Sequence, residues 1–314
     1  MTDLGQSYDA RATGIVLDAS GNPYLAGTSS SAQFSTLRGV ANLGPDFILG
    51  LDASTGSPQT LFRFPSGVVT APPVFDRNGR LLLIGAQNAL LTFAPSYATP
   101  SIVGYANSAS NALNTGISPG ALVTFYGFSL PSSMQDVQVF IGNLPAPVIY
   151  TGPNQINWQV PFEINDDGMP LPAQVIVPGA TISLQLPWSP AIGIFTVDGT
   201  YAAALNQDGT VNSASNPAAQ GSIVTLFGTG AVWPAGMPDG AVATTAIRTQ
   251  SSFQLEYFPE SAAVLYAGTA PGLIDGVFRV NLQLPPQLSV PLTLQQNPGL
   301  YATLASNPVR LYLK

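Results

Sequence analysis

The chain of 314 residues contains no cysteine and no histidine, and its single lysine is the last residue, Lys314. Without cysteine there is no disulfide, thiol nucleophile, iron–sulfur cluster or thiolate zinc site. Without histidine there is no Ser-His-Asp triad, no imidazole-ligated metal and no imidazole pH switch. A P-loop needs an interior lysine, and a Ser-Lys dyad would have to recruit the chain end. Charge is scarce as well: 8% of residues are charged, against about 25% in ordinary globular chains. Nine basic residues against sixteen acidic give a net charge of −7 and a pI near 4.3. The eight arginines (Arg11, Arg38, Arg63, Arg77, Arg80, Arg248, Arg279, Arg310) are scattered along the chain. Nucleic acid and anionic membrane surfaces, which need clustered cations, are therefore not expected partners. No apolar run approaches the ~20 residues that span a bilayer. The richest stretch, Leu81–Ile84 with Leu90–Phe93, is broken by Gly85, Gln87 and Asn88, so no membrane insertion is expected. The first ten residues, MTDLGQSYDA, have neither a basic nor an apolar region, so no signal peptide is expected in the chain as given.

What is present is strand. Hydrophobic residues make up 46% of the chain, in short Val/Ile/Leu/Phe/Tyr/Thr runs punctuated by 31 glycines and 29 prolines. Helix signals are almost missing, and the length exceeds the roughly 250–300 residues at which a single core stops growing. The most informative feature is an internal repeat. Asn107-Ser-Ala-Ser-Asn111 recurs unchanged as Asn212-Ser-Ala-Ser-Asn216. Gly120-Ala-Leu-Val-Thr-Phe-Tyr-Gly127 returns as Gly221-Ser-Ile-Val-Thr-Leu-Phe-Gly228, and Val148-Ile-Tyr-Thr-Gly152 as Val264-Leu-Tyr-Ala-Gly268. Ile156-Asn-Trp-Gln-Val-Pro161 returns as Val280-Asn-Leu-Gln-Leu-Pro285. The offset grows from 105 to 124 residues, which places about nineteen extra residues in the second copy, within Ala231–Ser252. Each unit has the size of an immunoglobulin-like sandwich. In the last matched strand the apolar residues face one way and the amides the other, and a proline ends the pairing.

Residues 1–98 read differently. Gly14–Gly27 and Pro73–Gly85 each spell strand, Asp/Gly turn, strand, with Asp18 and Asp76 58 residues apart, a blade length for a β-propeller. Two blades cannot close a propeller, which takes at least about four. The expected fold is all-β: a partial β-propeller-like segment at 1–98, then two immunoglobulin-like β-sandwiches at 101–190 and 191–314.

Residues 9–67 resemble the bacterial β-propeller repeat, through Gly14–Asp18, Gly21-Asn22, Tyr24–Thr28, Phe34, Asp46-Phe47 and Leu51–Gly56. Residues 101–314 resemble the Solibacter-type C-terminal domain of large secreted proteins of soil acidobacteria. That likeness rests on Ala203–Pro217, Val264–Gly272 and Asn281–Pro285. Each half is also similar to an IPT/TIG-type immunoglobulin-like domain. The resemblances imply an extracellular or cell-surface location and no known catalytic residues. Relatives of this kind carry further propeller repeats, so missing blades or another subunit are expected to pair with residues 1–98.

Several candidate sites follow. Asn157, Gln159, Asn281 and Gln283, beside Tyr150 and Tyr266, form a sugar-binding strip if their sheet face is open; otherwise they are solvated or interdomain amides. The doubled Asn-Ser-Ala-Ser-Asn motif is either a ligand loop or, as favoured, a turn whose side chains bond nearby backbone. Asp166, Asp167 and Asp208 are candidate calcium ligands in Asp-Gly loops that do not match an EF-hand; calcium is the only cofactor the sequence suggests. Trp188, Trp233 and Tyr257 are candidate stacking aromatics or, as favoured, structural caps or strand-edge cover, with Trp233 in the insertion of the second unit. A glycosidase needs paired carboxylates, and the glutamates are only Glu163, Glu256 and Glu260. The leading reading is a non-catalytic extracellular module for adhesion or for binding polysaccharide or a cell-surface protein. The alternatives are a structural end-piece for capping, export or surface attachment, and a carboxylate-dependent hydrolase.

Overall fold

The computed structural model describes residues 11–29, 45–56, 58–64, 69–77, 79–84, 90–93, 100–112, 116–164, 170–189, 192–251, 253–257, 260–286, 299–302, 307 and 309–314. These residues are strand and turn, with one short 3-10 turn at Met134–Asp136, as the strand-rich sequence requires. Two compact units divide them: residues 1–104 with 126–130, and residues 105–125 with 131–314. The segments expected at 101–190 and 191–314 thus share one unit, with the boundary running through the first two strands of the repeat.

In the first unit, β1 (Arg11–Leu17), β2 (Pro23–Thr28), β3 (Asp46–Leu51) and β4 (Pro58–Phe64) form a four-stranded antiparallel meander. A smaller sheet holds β5 (Val74–Phe75), β6 (Leu81–Ile84) and β7 (Leu90–Phe93). Among the described residues neither sheet closes on itself. The aspartates of the Asp/Gly turns brace them. Asp18 Oδ1 accepts the Ser20 and Asn22 N–H groups at 2.8 Å each. Asp76 accepts the Arg80 N–H through Oδ1 and pairs with Arg80 Nε at 2.6 Å through Oδ2. Asp52 gathers the N–H and hydroxyl groups of Ser54 and Thr55, which pull its carboxyl down to about 2.

The first sandwich comprises two four-stranded antiparallel sheets. One is built from β8 (Ser101–Asn107), β9 (Leu122–Phe128), β12 (Val148–Gly152) and β13 (Gln155–Gln159), in the order β8-β9-β13-β12. The other is built from β10 (Gln138–Ile141), β11 (Leu144–Ala146), β14 (Leu171–Val177) and β15 (Ala180–Leu186), in the order β11-β10-β14-β15. Alternation decides the faces: Leu171, Ala173, Val175 and Val177 are buried while Pro172 and Gln174 are exposed. Trp158 and Phe125 are fully buried, their ring centroids 5.0 Å apart.

The second copy repeats this topology. It uses β16 (Gly193–Ile194), β17 (Ala204–Leu205), β18 (Ile223–Thr229), β19 (Phe253–Tyr257), β20 (Glu260–Thr269), β21 (Val277–Gln283) and β22 (Gly299–Ala302). The path β16-β18-β21-β20 matches β8-β9-β13-β12, with β17 added beside β18. The difference lies in β20. Its first residues pair with β19 and the rest with β21, so one strand does the work of β11 and β12 and joins both sheets into a single seven-stranded one. Pro147 separates β11 from β12, because proline has no N–H to give the ladder; the aligned residue in the second copy is Ala263. The core gathers sheet residues such as Val224, Leu226, Phe278, Val280 and Leu282 with Ala202, Ala218 and Val309 from bridged segments.

Polar groups join the sandwiches. Thr229 Oγ1, fully buried, accepts the Leu122 N–H at 2.9 Å and donates to the Gly276 carbonyl at 3.0 Å. Beside it, Leu122, Ala270 and Val277 form an apolar cluster covered by Ile149, Phe195, Phe227 and Ile274.

Candidate functional site

The repeated letters occupy equivalent places, but the two copies put them to different use. Each has a β-bulge before its tyrosine, between Val148 and Tyr150 and between Val264 and Tyr266. Each then pairs the tyrosine with an asparagine, Tyr150 with Asn157 and Tyr266 with Asn281. On the far side of the asparagine stands a threonine: Thr124 donates to Asn157 Oδ1 at 3.1 Å and Thr225 to Asn281 Oδ1 at 3.2 Å. The Thr–Asn bond is thus a built-in cross-strand clip of both units.

Most of the strip expected in the first copy is consumed. Asn157 Oδ1 also accepts from Gln155 Nε2 at 2.6 Å. Gln159 is fully buried; its Nε2 donates to the Asp275 carbonyl and its Oε1 accepts the Gly240 N–H at 2.7 Å. Both ends of its amide tie the first sandwich to the second, so this part of the expected strip faces a neighbouring sandwich rather than solvent. Tyr150 is half exposed at 51%. In the second copy, Asn281 is half-buried and Gln283 exposed, its Nε2 donating to the Gly221 carbonyl at 3.3 Å. Among the described residues neither amide bonds the first sandwich, and Gln283 is open to solvent.

The doubled motif is a turn, as favoured. Asn107 Oδ1 accepts the Ala109 and Ser110 N–H groups. In the second copy, Asn212 instead exchanges bonds with the Tyr312 backbone and Asn206, and Asn216 bonds Thr210 and Val211. Trp233, a candidate stacking ring with a structural role favoured, is 7% exposed and belongs to the second core with Met237. An indole is large enough to anchor the insertion, and the core takes it. Trp188 is half-buried and bridges Ile117. Asp208 is a turn acceptor: Thr210 donates its hydroxyl and N–H to Oδ1 at 2.6 and 3.0 Å, which lowers the carboxyl pKa. Asp166 and Asp167 lie outside the described residues, as do the side chains of Tyr257, Glu256 and Glu260. Among the described residues there is no cluster of three metal-ligating side chains. Glu163 does meet another acid: burial and the neighbouring Glu163 carboxyl raise the Asp239 pKa, while Asp239 Oδ1 accepts the Phe162 N–H at 2.8 Å.

Two arginines complete the open face. Arg279 pairs across the sheet with Gly268, and Gly268 bridges to Arg248 in the insertion. The three residues form one row across three strands. A Cβ at Gly268 would collide with the Tyr266 hydroxyl and the Ile247 carbonyl, so the absent side chain leaves the saddle in which Tyr266 lies. The Arg248 and Arg279 guanidinium carbons sit 5.4 and 5.0 Å from the Tyr266 ring centre, within cation–π reach. The Tyr266 hydroxyl donates to the Thr269 carbonyl at 3.1 Å. Arg279 is half-buried, and its Nε is shut off from solvent without an acceptor. Sequence reasoning passed over both arginines. The signal was available: the residue aligned with Arg279 in the first copy is Gln155, and Arg248 lies in the segment that only the second copy has.

Among solved structures, the chain is similar to the surface glycan-binding protein PbSGBP-B of Prevotella bryantii, at 13% identity and a TM-score of 0.24 over 68% of this chain and 42% of that one. It is also similar to the extracellular region of plexin A4, at 12% identity and a TM-score of 0.26 over 92% of this chain and 22% of that one. A second plexin A4 structure gives 10% identity and a TM-score of 0.20 over 97% and 37%. The chain thus spans less than half the length of each, and at such TM-scores these likenesses bear on neither ligand nor partner. No curated protein matches the chain. Residues 111–187, the heart of the first sandwich, match the family model of the IPT/TIG domain.

Proposed function

We propose that the chain is a non-catalytic binding module, displayed outside the cell or on its surface, that holds polysaccharide on the outer face of its second sandwich. One observation carries the reading. Two copies of the same strip have diverged: Gln159 of the first is spent on the other sandwich, while the second presents Asn281 and Gln283 with Arg248 and Arg279 on one face around Tyr266. Amides and guanidinium groups at fixed spacing on a rigid sheet suit the hydroxyl and acid groups of a sugar chain. The IPT/TIG match fits a binding or adhesion role. An extracytoplasmic location rests on the resemblance to domains of secreted proteins, and among the described residues no helix is long and apolar enough to cross a membrane.

The test is affinity electrophoresis of the full chain through gels containing dissolved polysaccharides, paired with a reducing-end assay. Retardation without new reducing ends is expected, and the double variant Asn281→Ala/Gln283→Ala should lose about tenfold in affinity, the worth of one or two hydrogen bonds. No retardation by any polysaccharide, or release of reducing ends, overturns the reading.

A further inference from the structure

The row Arg279–Gly268–Arg248 does more than frame a tyrosine. The guanidinium groups lie over the Tyr266 ring, and the hydroxyl is spent on Thr269. The ring is therefore taken as a stacking platform for a neutral sugar. What the site offers instead is positive charge. Among the described residues, neither Arg248 nor Arg279 is paired with a carboxylate. Arg248 is exposed and makes one long bond of its own, Nη2 to the Leu265 carbonyl at 3.4 Å. Each guanidinium has five N–H donors in a rigid fork, so most of them have no acceptor. Arg279 adds the shielded Nε already described. In a chain of net charge −7 with eight arginines, two of them flanking one ring from either side of β20 concentrate positive charge locally.

We infer that this row recognises a carboxylate-bearing polysaccharide, a polyuronate; the inference rests on the binding reading above. Arg279 and Arg248 stand two strands apart, about 10 Å between backbones, and each can take one carboxylate in a bidentate fork. Asn281 and Gln283 continue along β21 on the same face in steps of about 7 Å. Asn281 Nδ2 and Gln283 Oε1 have no partner among the described residues, and they are of the kind that bond sugar hydroxyls. Alternating cations and neutral amides favour a polymer that carries acids and hydroxyls on every unit over an acidic peptide. The first copy lacks both cations, having Gln155 in place of Arg279 and, among the described residues, no strand beyond β12.

Isothermal titration of the full chain with polygalacturonate, its fully methyl-esterified form, neutral galactan and poly-L-glutamate tests this. Polygalacturonate should bind best and weaken with added salt, as contacts between exposed charges do. Methyl esterification, Arg279→Gln or Arg248→Gln should each weaken binding at least tenfold, with circular dichroism and melting temperature unchanged. Arg279→Gln installs the residue that the first copy carries, and Arg248 is exposed, so both variants are built to fold. If the ester or galactan binds as tightly as polygalacturonate, the acidic assignment falls while the binding reading stands. If poly-L-glutamate binds and polygalacturonate does not, the polysaccharide assignment falls. If folded variants bind unchanged, the site is wrong. If none of the four binds, the inference and the binding reading fall together.

Discussion

Gln159 and Gln283 are the same letter at the same place in the repeat, and the structure gives them opposite roles. Gln159 is fully buried with both amide ends bonded, whereas Gln283 is exposed and makes one long bond. Truncating a buried group leaves its partners unsatisfied, at about 1–3 kcal/mol each. Gln159→Ala strands the Gly240 N–H and the Asp275 carbonyl and should cost about 2–4 kcal/mol. Gln283→Ala should stay within about 0.5 kcal/mol, as exposed substitutions usually do. Urea midpoints of the two variants at a constant m-value decide the matter; equal shifts would remove Gln159 from the join. The alternation along each strand was legible, and it put both glutamines on the face opposite the core. Which of them is buried was not. The partners of Gln159 lie 81 and 116 residues away, and nothing local announces a contact made across that distance.

At the scale of elements, the repeat carried nearly everything that could be read. The Gly-led strands, the tyrosine-bulge pairing and the terminal prolines reappear at equivalent positions, and the order β8-β9-β13-β12 is matched by β16-β18-β21-β20. What was not legible is the work of the insertion. It runs back beside β20, through the Arg248–Gly268 and Val242–Ile274 bridges, and covers an edge that would otherwise expose unpaired N–H groups. It is pinned at its start by Trp233 and Met237 in the core. Trp233 was a candidate stacking ring beside the alternative of a structural cap, and the sequence could not choose between them, since composition says nothing about the direction of one side chain. Trp233→Ala should therefore act on stability, by about 3–5 kcal/mol for a buried aromatic. Polysaccharide retention at temperatures well below the new melting point should change little. Differential scanning calorimetry alongside the affinity gels separates the two; lost retention in a variant with unchanged melting would return Trp233 to the binding site. The arginine row shows the same limit from the other side. Arg279 is visible as a departure from Gln155, but Arg248 acquires meaning only when the insertion brings it beside Gly268.

At the scale of the molecule, most of the first sandwich shares one compact unit with the second, and the seam between them contains an acid pair. Asp239 belongs to the insertion and Glu163 to the first sandwich. Burial comes first among the causes that raise the Asp239 pKa from its ordinary 3.8, and the adjacent Glu163 adds to it, while the Phe162 N–H pulls the other way. A native state that holds a proton more tightly than the unfolded chain is stabilised below the ordinary carboxylate pKa and loses that stability as pH rises through the raised one. Folding of the joined sandwiches should therefore weaken from about pH 4 upward, where this term acts. Asp275, at the same seam and also raised by burial, pushes in the same direction. Asp52 and Asp208, whose pKa values are lowered, push in the opposite direction at lower pH. The difference between the wild-type chain and Asp239→Asn removes the Asp52 and Asp208 terms, since distant sites add. An asparagine keeps the oxygen that accepts the Phe162 N–H and offers Glu163 a donor in place of a second charge. The variant should match the wild type near pH 3 and melt at a higher temperature by pH 7, the gap opening as pH rises. Melting curves of both proteins across pH 3–7 measure it. A gap that is constant with pH, or that closes as pH rises, would mean that the carboxyl pair does not govern how the sandwiches hold together.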